Sequence, residues 1–102
     1  MVTLVVRDPV LTAVATRQAL AVPGVTRLHE QSVLHSALHR SRDRGVDVAR
    51  NGERPVVTVR LVVRRVARVI EVVRTVQRSV RDELLRTTGV DADVVVVVVD
   101  LD

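Results

Sequence analysis

No phenylalanine, tryptophan or tyrosine occurs anywhere in this 102-residue chain, so any core it forms is built from aliphatic side chains alone. Valine supplies 28 of the residues. Valine is stiff at χ1 and fits a pleated surface better than a helix, so a sheet is the element this sequence builds most readily. Its helices must be held by docking rather than by propensity. With 47% hydrophobic and 27% charged residues the chain is neither disordered nor collagen-like. One core fits this length, and two do not.

All 16 basic side chains are arginines, set against 12 acids for a net charge of +4. Arginine and valine together are what a GC-rich, actinobacteria-like genome imposes on codons. A basic balance favours an anionic partner, either nucleic acid or a membrane surface. The absence of cysteine excludes disulfides, thiolate nucleophiles and Fe–S ligation, and fits a reducing compartment. Val94–Val99, the longest purely apolar run, is far short of the roughly 20 residues a spanning helix needs. Met1–Asp8 carries no signal-peptide pattern, so a cytoplasmic, soluble protein is expected.

Val2–Val6 reads as a strand that ends at Arg7-Asp8-Pro9. Asp8 is placed to cap a helix with Pro9 at its first position; Leu11, Val14, Ala15 and Gln18 share one face, and Pro23-Gly24 end it near Ala21. A short strand is expected over Val25–Glu30, then a mobile loop around 31–44 holding a short surface helix at Val33–Leu38. Val46–Arg50 and Val56–Val63 alternate on either side of Asn51–Pro55, which reads as a β-hairpin. In its second strand Val57, Val59, Leu61 and Val63 form one face, and Thr58, Arg60 and Val62 the other. Arg65–Thr87 switches to a helical period, with Val66, Val69, Ile70, Val73, Val76, Val80 and Leu84 as the apolar stripe and Gly89 as the C-terminal cap. Val94–Val99 closes the chain as a strand. The expected fold is α+β, a two-layer sandwich with two helices on one face of a small mixed, mainly antiparallel sheet, in a single domain over residues 1–102. The strands flanking the long helix should be parallel.

The segment Val10-Leu11, Val14-Ala15 and Ala19-Leu20-Ala21-Val22-Pro23-Gly24-Val25 resembles the helix-to-"PGV" segment of the alkaline shock protein family, the Gls-type envelope stress response proteins of Gram-positive bacteria. Gly45-Val46-Asp47-Val48, the alternating Val57–Val63, Ile70-Glu71-Val72-Val73, Val76-Gln77, Val80, Thr88-Gly89-Val90 and the closing valine strand are similar to that family in order and spacing, so the resemblance spans about residues 8–101. Arg64-Arg65 stand where the family usually has Tyr-Gly, and Val95 where it usually has Asn. The resemblance implies a non-enzymatic protein that self-associates, is held at the inner membrane surface by a small membrane-anchor protein, and uses no cofactor or small-molecule substrate.

The residues themselves show no catalytic constellation. The serines have no nucleophile elbow, and the four glycines are isolated, so no phosphate cradle forms. His35 and His39 have the i, i+4 spacing of a zinc pair but no HExxH around them, which favours a solvated loop over a metal site. Arg64, Arg65 and Arg68 belong to a basic neighbourhood that makes a small nucleic-acid-binding domain the alternative function. Against it, Glu71 and Asp82 interrupt the arginines, and no aromatic ring is available for base stacking.

Helices on one side of a sheet leave the other side wet, yet Val94–Val99 does not alternate. Either Val94, Val96 and Val98 or Val95, Val97 and Val99 must face away from the helices. With Val62 and Arg60 as neighbours, Val95, Val97 and Val99 make the candidate interaction face, the edge of the last strand being the alternative surface, and Asp91, Asp93, Asp100 and Asp102 restrain uncontrolled strand pairing.

Overall fold

Alternating burial from Val57 to Val63 makes their strand the axis of the molecule. The computed structural model describes residues 6–29, 45–50 and 54–102. In it the elements run α1 (Asp8–Leu20), β1 (Val25–Leu28), β2 (Val46–Arg50), β3 (Pro55–Val63), α2 (Val69–Thr88) and β4 (Asp93–Leu101). β3 pairs in parallel with β4, from Val56↔Asp93 to Val63↔Leu101. The parallel sense is what a helical crossover between two neighbouring strands requires. The other edge of β3 is shared end to end, β2 running antiparallel to Pro55–Val59 and β1 antiparallel to Leu61–Val63.

Val57, Val59, Leu61 and Val63 are fully buried in one cluster with Leu11, Ala15 and Ala19 of α1 and Val76, Val80 and Leu84 of α2. Both helices therefore cover the same face of the sheet, giving the two-layer α+β sandwich. The small Ala15 and Ala19 side chains let α1 lie close to its neighbours, and the buried Thr12 satisfies its hydroxyl by donating to the Pro9 carbonyl at 3.0 Å. Gly24 has φ +97°, and a Cβ there would stand 2.7 Å from Val72 Cγ2, so the turn into β1 fits beneath α2 only as glycine.

Several local expectations need correction. Asp8 is the first helical residue rather than the cap; the cap is Arg7, without a side-chain hydrogen bond. The Asp8 carboxylate instead accepts from Arg50 Nε at 2.8 Å, tying the start of α1 to the end of β2. α2 begins at Val69, four residues later than its periodicity suggested, because the Arg65 N–H is taken by the Asp102 carbonyl at 2.7 Å and the connection turns before it coils. Its buried row is Val72, Val76, Val80 and Leu84. Val73 is half-buried, Ile70 is exposed, and Val66 lies outside the helix. The sequence offered two overlapping apolar rows, and docking selected the one that meets β4 and α1. Gly89 closes the helix as expected, at φ +72° with its N–H donating to the Leu85 carbonyl at 3.0 Å. Of the expected strand at Val2–Val6, residues 2–5 lie outside the described residues, as do the 31–44 loop with its short helix and the hairpin turn at 51–53.

Candidate functional site

The face of the sheet opposite the helices is built by the even-numbered residues of β3 and the odd-numbered valines of β4. Parallel pairing sets Val95 beside Thr58 and Val97 beside Arg60. After Val98 the register slips by one residue at Val99, so that Val62 lies beside Asp100. Within β4, Val94, Val96 and Val98 pack half-buried against the core, whereas Val95, Val97 and Val99 remain 44%, 41% and 39% exposed. The structure thereby selects one of the two valine sets that the sequence left open.

Val62 and Arg60 share this face but do not form its surface, which corrects their place in the candidate face. They are only 1% and 6% exposed, on a central strand with neighbours on both sides. Arg60 Nη1 donates to Asp47 Oδ2 at 2.9 Å across the β2–β3 pair, while its Nε and Nη2 are buried without an acceptor. A buried guanidinium with unmet donors is costly. It ties β2 to β3 beside the exposed valines. Asp47 was missed in the sequence, although the hairpin register, which sets Asp47 opposite Thr58 and diagonal to Arg60, could have found it.

The outer edge of β4 has no paired strand among the described residues. Asp93 and Asp100 sit along it, a common means of discouraging indiscriminate strand addition. Asp93 also accepts from Arg54 Nη1 at 3.0 Å, and Asp91 from Arg54 Nη2 at 2.5 Å. The hydrogen bond to Asp91, followed by the charges of Asp91 and Asp93, holds the Arg54 guanidinium above its ordinary pKa.

Between α2 and the start of β4 runs a groove of about 430 Å³ with Arg54, Arg74, Arg78 and Arg81 on its walls. Two of these are already engaged, since Arg81 Nε lies 3.9 Å from Asp91, which also holds Arg54. That partial neutralisation weakens the groove as a track for a nucleic-acid backbone. Arg64, Arg65 and Arg68, the basic surface of the sequence reading, lie instead in the connection from β3 to α2 and are exposed. Farther along α2, Arg86 forms a bidentate pair with Glu83, Nε to Oε2 at 3.2 Å and Nη2 to Oε1. This hydrogen bonding pushes the Glu83 carboxyl below its ordinary pKa.

Among the described residues no group of three potential metal ligands comes together, and His35 and His39 lie outside them. No described helix is long and apolar enough to cross a membrane. A family model described as the alkaline shock protein 23 family, with a cell envelope-related function, matches residues 1–101. No curated protein and no solved structure matches the chain.

Proposed function

The chain belongs to the alkaline shock protein family, whose function is cell envelope-related, and from that premise we propose that it acts without catalysis, by assembling with copies of itself and with a small membrane-anchor protein on the cytoplasmic side of the membrane. The carrying observation is the exposed row Val95, Val97 and Val99 on the face that neither described helix covers. A contiguous apolar row left exposed on a sheet face is a common mark of an interaction surface. The Arg60–Asp47 pair supports the reading, because it ties β2 to β3 beside the row and so presents it on a rigid platform. Acids at both ends of β4 favour association through the face of the strand over addition at its edge.

Two triple variants test this by light scattering with parallel urea titration. Val95→Thr, Val97→Thr and Val99→Thr together should keep the fold and lose assembly. Val94→Thr, Val96→Thr and Val98→Thr together should lose stability, since those side chains pack on the core. If the first variant assembles like the parent protein, or the parent is monomeric at all concentrations, the proposal is wrong.

A further inference from the structure

At one end of the molecule the α1–β1 turn, the β3–α2 connection and the end of β4 are bound together through the backbone. The Arg64 N–H donates to the Gly24 carbonyl at 2.8 Å, the Arg65 N–H to Asp102 at 2.7 Å and the Ala67 N–H to Arg64 at 2.9 Å, while Asp102 N–H donates to Val63 at 2.8 Å. From this braced end protrude Val66, 88% exposed, and Ile70, 66% exposed, the two most exposed large apolar side chains among the described residues. Arg64 and Arg68 line the same groove as Val66, Arg68 and Arg74 the same groove as Ile70, and Arg65 directly precedes Val66 in the chain; all four arginines are exposed. Arg68 meets Glu71 Oε1 at 3.4 Å, whereas Arg64, Arg65 and Arg74 have no carboxylate partner among the described residues. Arg68 and Glu71 line both the groove that holds Val66, about 480 Å³ in volume, and the one that holds Ile70.

Folding does not account for these residues. Exposed valine and isoleucine gain nothing from burial. Arg68 is the N-cap of α2, in extended conformation and without a side-chain capping bond. The positive end of a helix favours acids and is opposed by cations, and a serine or aspartate there would stabilise it. The segment thus gives up local stability to present two apolar side chains beside exposed arginines. That combination suits the boundary of an anionic bilayer, where apolar side chains enter the acyl region and arginines bond lipid phosphates.

We propose that this end of the molecule docks directly on an anionic phospholipid bilayer, with Val66 and Ile70 entering the headgroup boundary and Arg64, Arg65, Arg68 and Arg74 engaging the lipid phosphates. The contact is separate from the valine row of β4 and adds to the hold of the anchor protein in the proposed function. Assembly through β4 strengthens it by multiplying weak contacts.

Cosedimentation of the full chain with phosphatidylglycerol-containing vesicles, and with pure phosphatidylcholine vesicles as the neutral control, tests the proposal. The parent should pellet with the anionic vesicles only, and less as salt rises. Each of Arg64→Gln, Arg65→Gln and Arg68→Gln should lower partitioning about fivefold. Val66→Ser with Ile70→Ser should lower it about tenfold while leaving the urea midpoint unchanged. The Val95/Val97/Val99 threonine variant should still bind the vesicles, so failure of the association reading and failure of this one are distinguishable. Absence of parent binding overturns the proposal, as does full binding by the Val66/Ile70 variant. Loss of affinity for single-stranded RNA, rather than for vesicles, in the arginine variants would assign the tip to nucleic acid and also overturn it.

Discussion

On the helix-covered face of the sheet Val57, Val59 and Val63 have no exposed surface, whereas on the opposite face Val95, Val97 and Val99 of the adjacent strand each keep roughly two-fifths of theirs. The side chain is the same and so is its preference for extended backbone, but only the first group is removed from water. In a chain this rich in valine, burial depends on which face of the sheet a position takes and on whether its strand is central or at the edge: Val62 of central β3 is buried on the same face on which Val95, Val97 and Val99 of edge strand β4 stay exposed. The exposed row gains strand propensity without burial, which leaves its apolar surface available to a partner.

The sharpest way to break the comparison is to charge each side. Val76→Asp places an unpaired carboxylate where α2 meets the core and should unfold a domain whose total stability is about 5 to 15 kcal/mol. Val73→Asp, at a half-buried position, should cost clearly less in a urea titration. Val97→Asp on the open face should leave the fold intact.

Truncation gives a smaller contrast. Leu61→Ala, from a fully buried position, should cost about 2 to 5 kcal/mol, whereas Val97→Ala should stay within about 0.5 kcal/mol in the monomer. Equal losses would show that both faces are packed.

The ion pair beneath the open face sharpens the comparison further. Asp47→Ala strands the buried Arg60 guanidinium and should cost about 1 to 3 kcal/mol, given that the Asp47 side chain is itself part-exposed. Arg60→Met removes the charge with its unmet donors and should be near neutral. A larger loss from Arg60→Met than from Asp47→Ala would mean the pair is a net stabiliser.

The smallest effect belongs to the exposed surface of α2. Because Arg86 lowers the Glu83 pKa, the stabilisation from that pair is complete above the ordinary carboxylate range and is lost as pH falls through the lowered folded-state value. Arg86→Gln should bring Glu83 back towards its ordinary titration, seen by NMR, with little change in the thermal midpoint at neutral pH.

The hairpin, the parallel crossover and the Gly89 cap were legible because alternation, connection length and turn chemistry are local signals. The register of α2 was not: Val66, Val69, Ile70, Val72, Val73 and Val76 crowd one stretch, and periodicity cannot choose between overlapping apolar rows when nearly every candidate is valine. The same degeneracy hid which valines of β4 face water, since that depends on pairing with β3, a contact distant in sequence. Arg60 and Val62 were expected at the surface because they lie opposite the core residues. They are buried on the central strand, and single-strand alternation carries no information about neighbours.

Valine and isoleucine methyl NMR over a dilution series tests the central claim most directly. The methyl resonances of Val95, Val97 and Val99 should shift and broaden as concentration rises, while those of Val57, Val59 and Val63 stay in place. Concentration dependence confined to Val66 and Ile70, or none at any of these positions, would contradict association through the open face of β4.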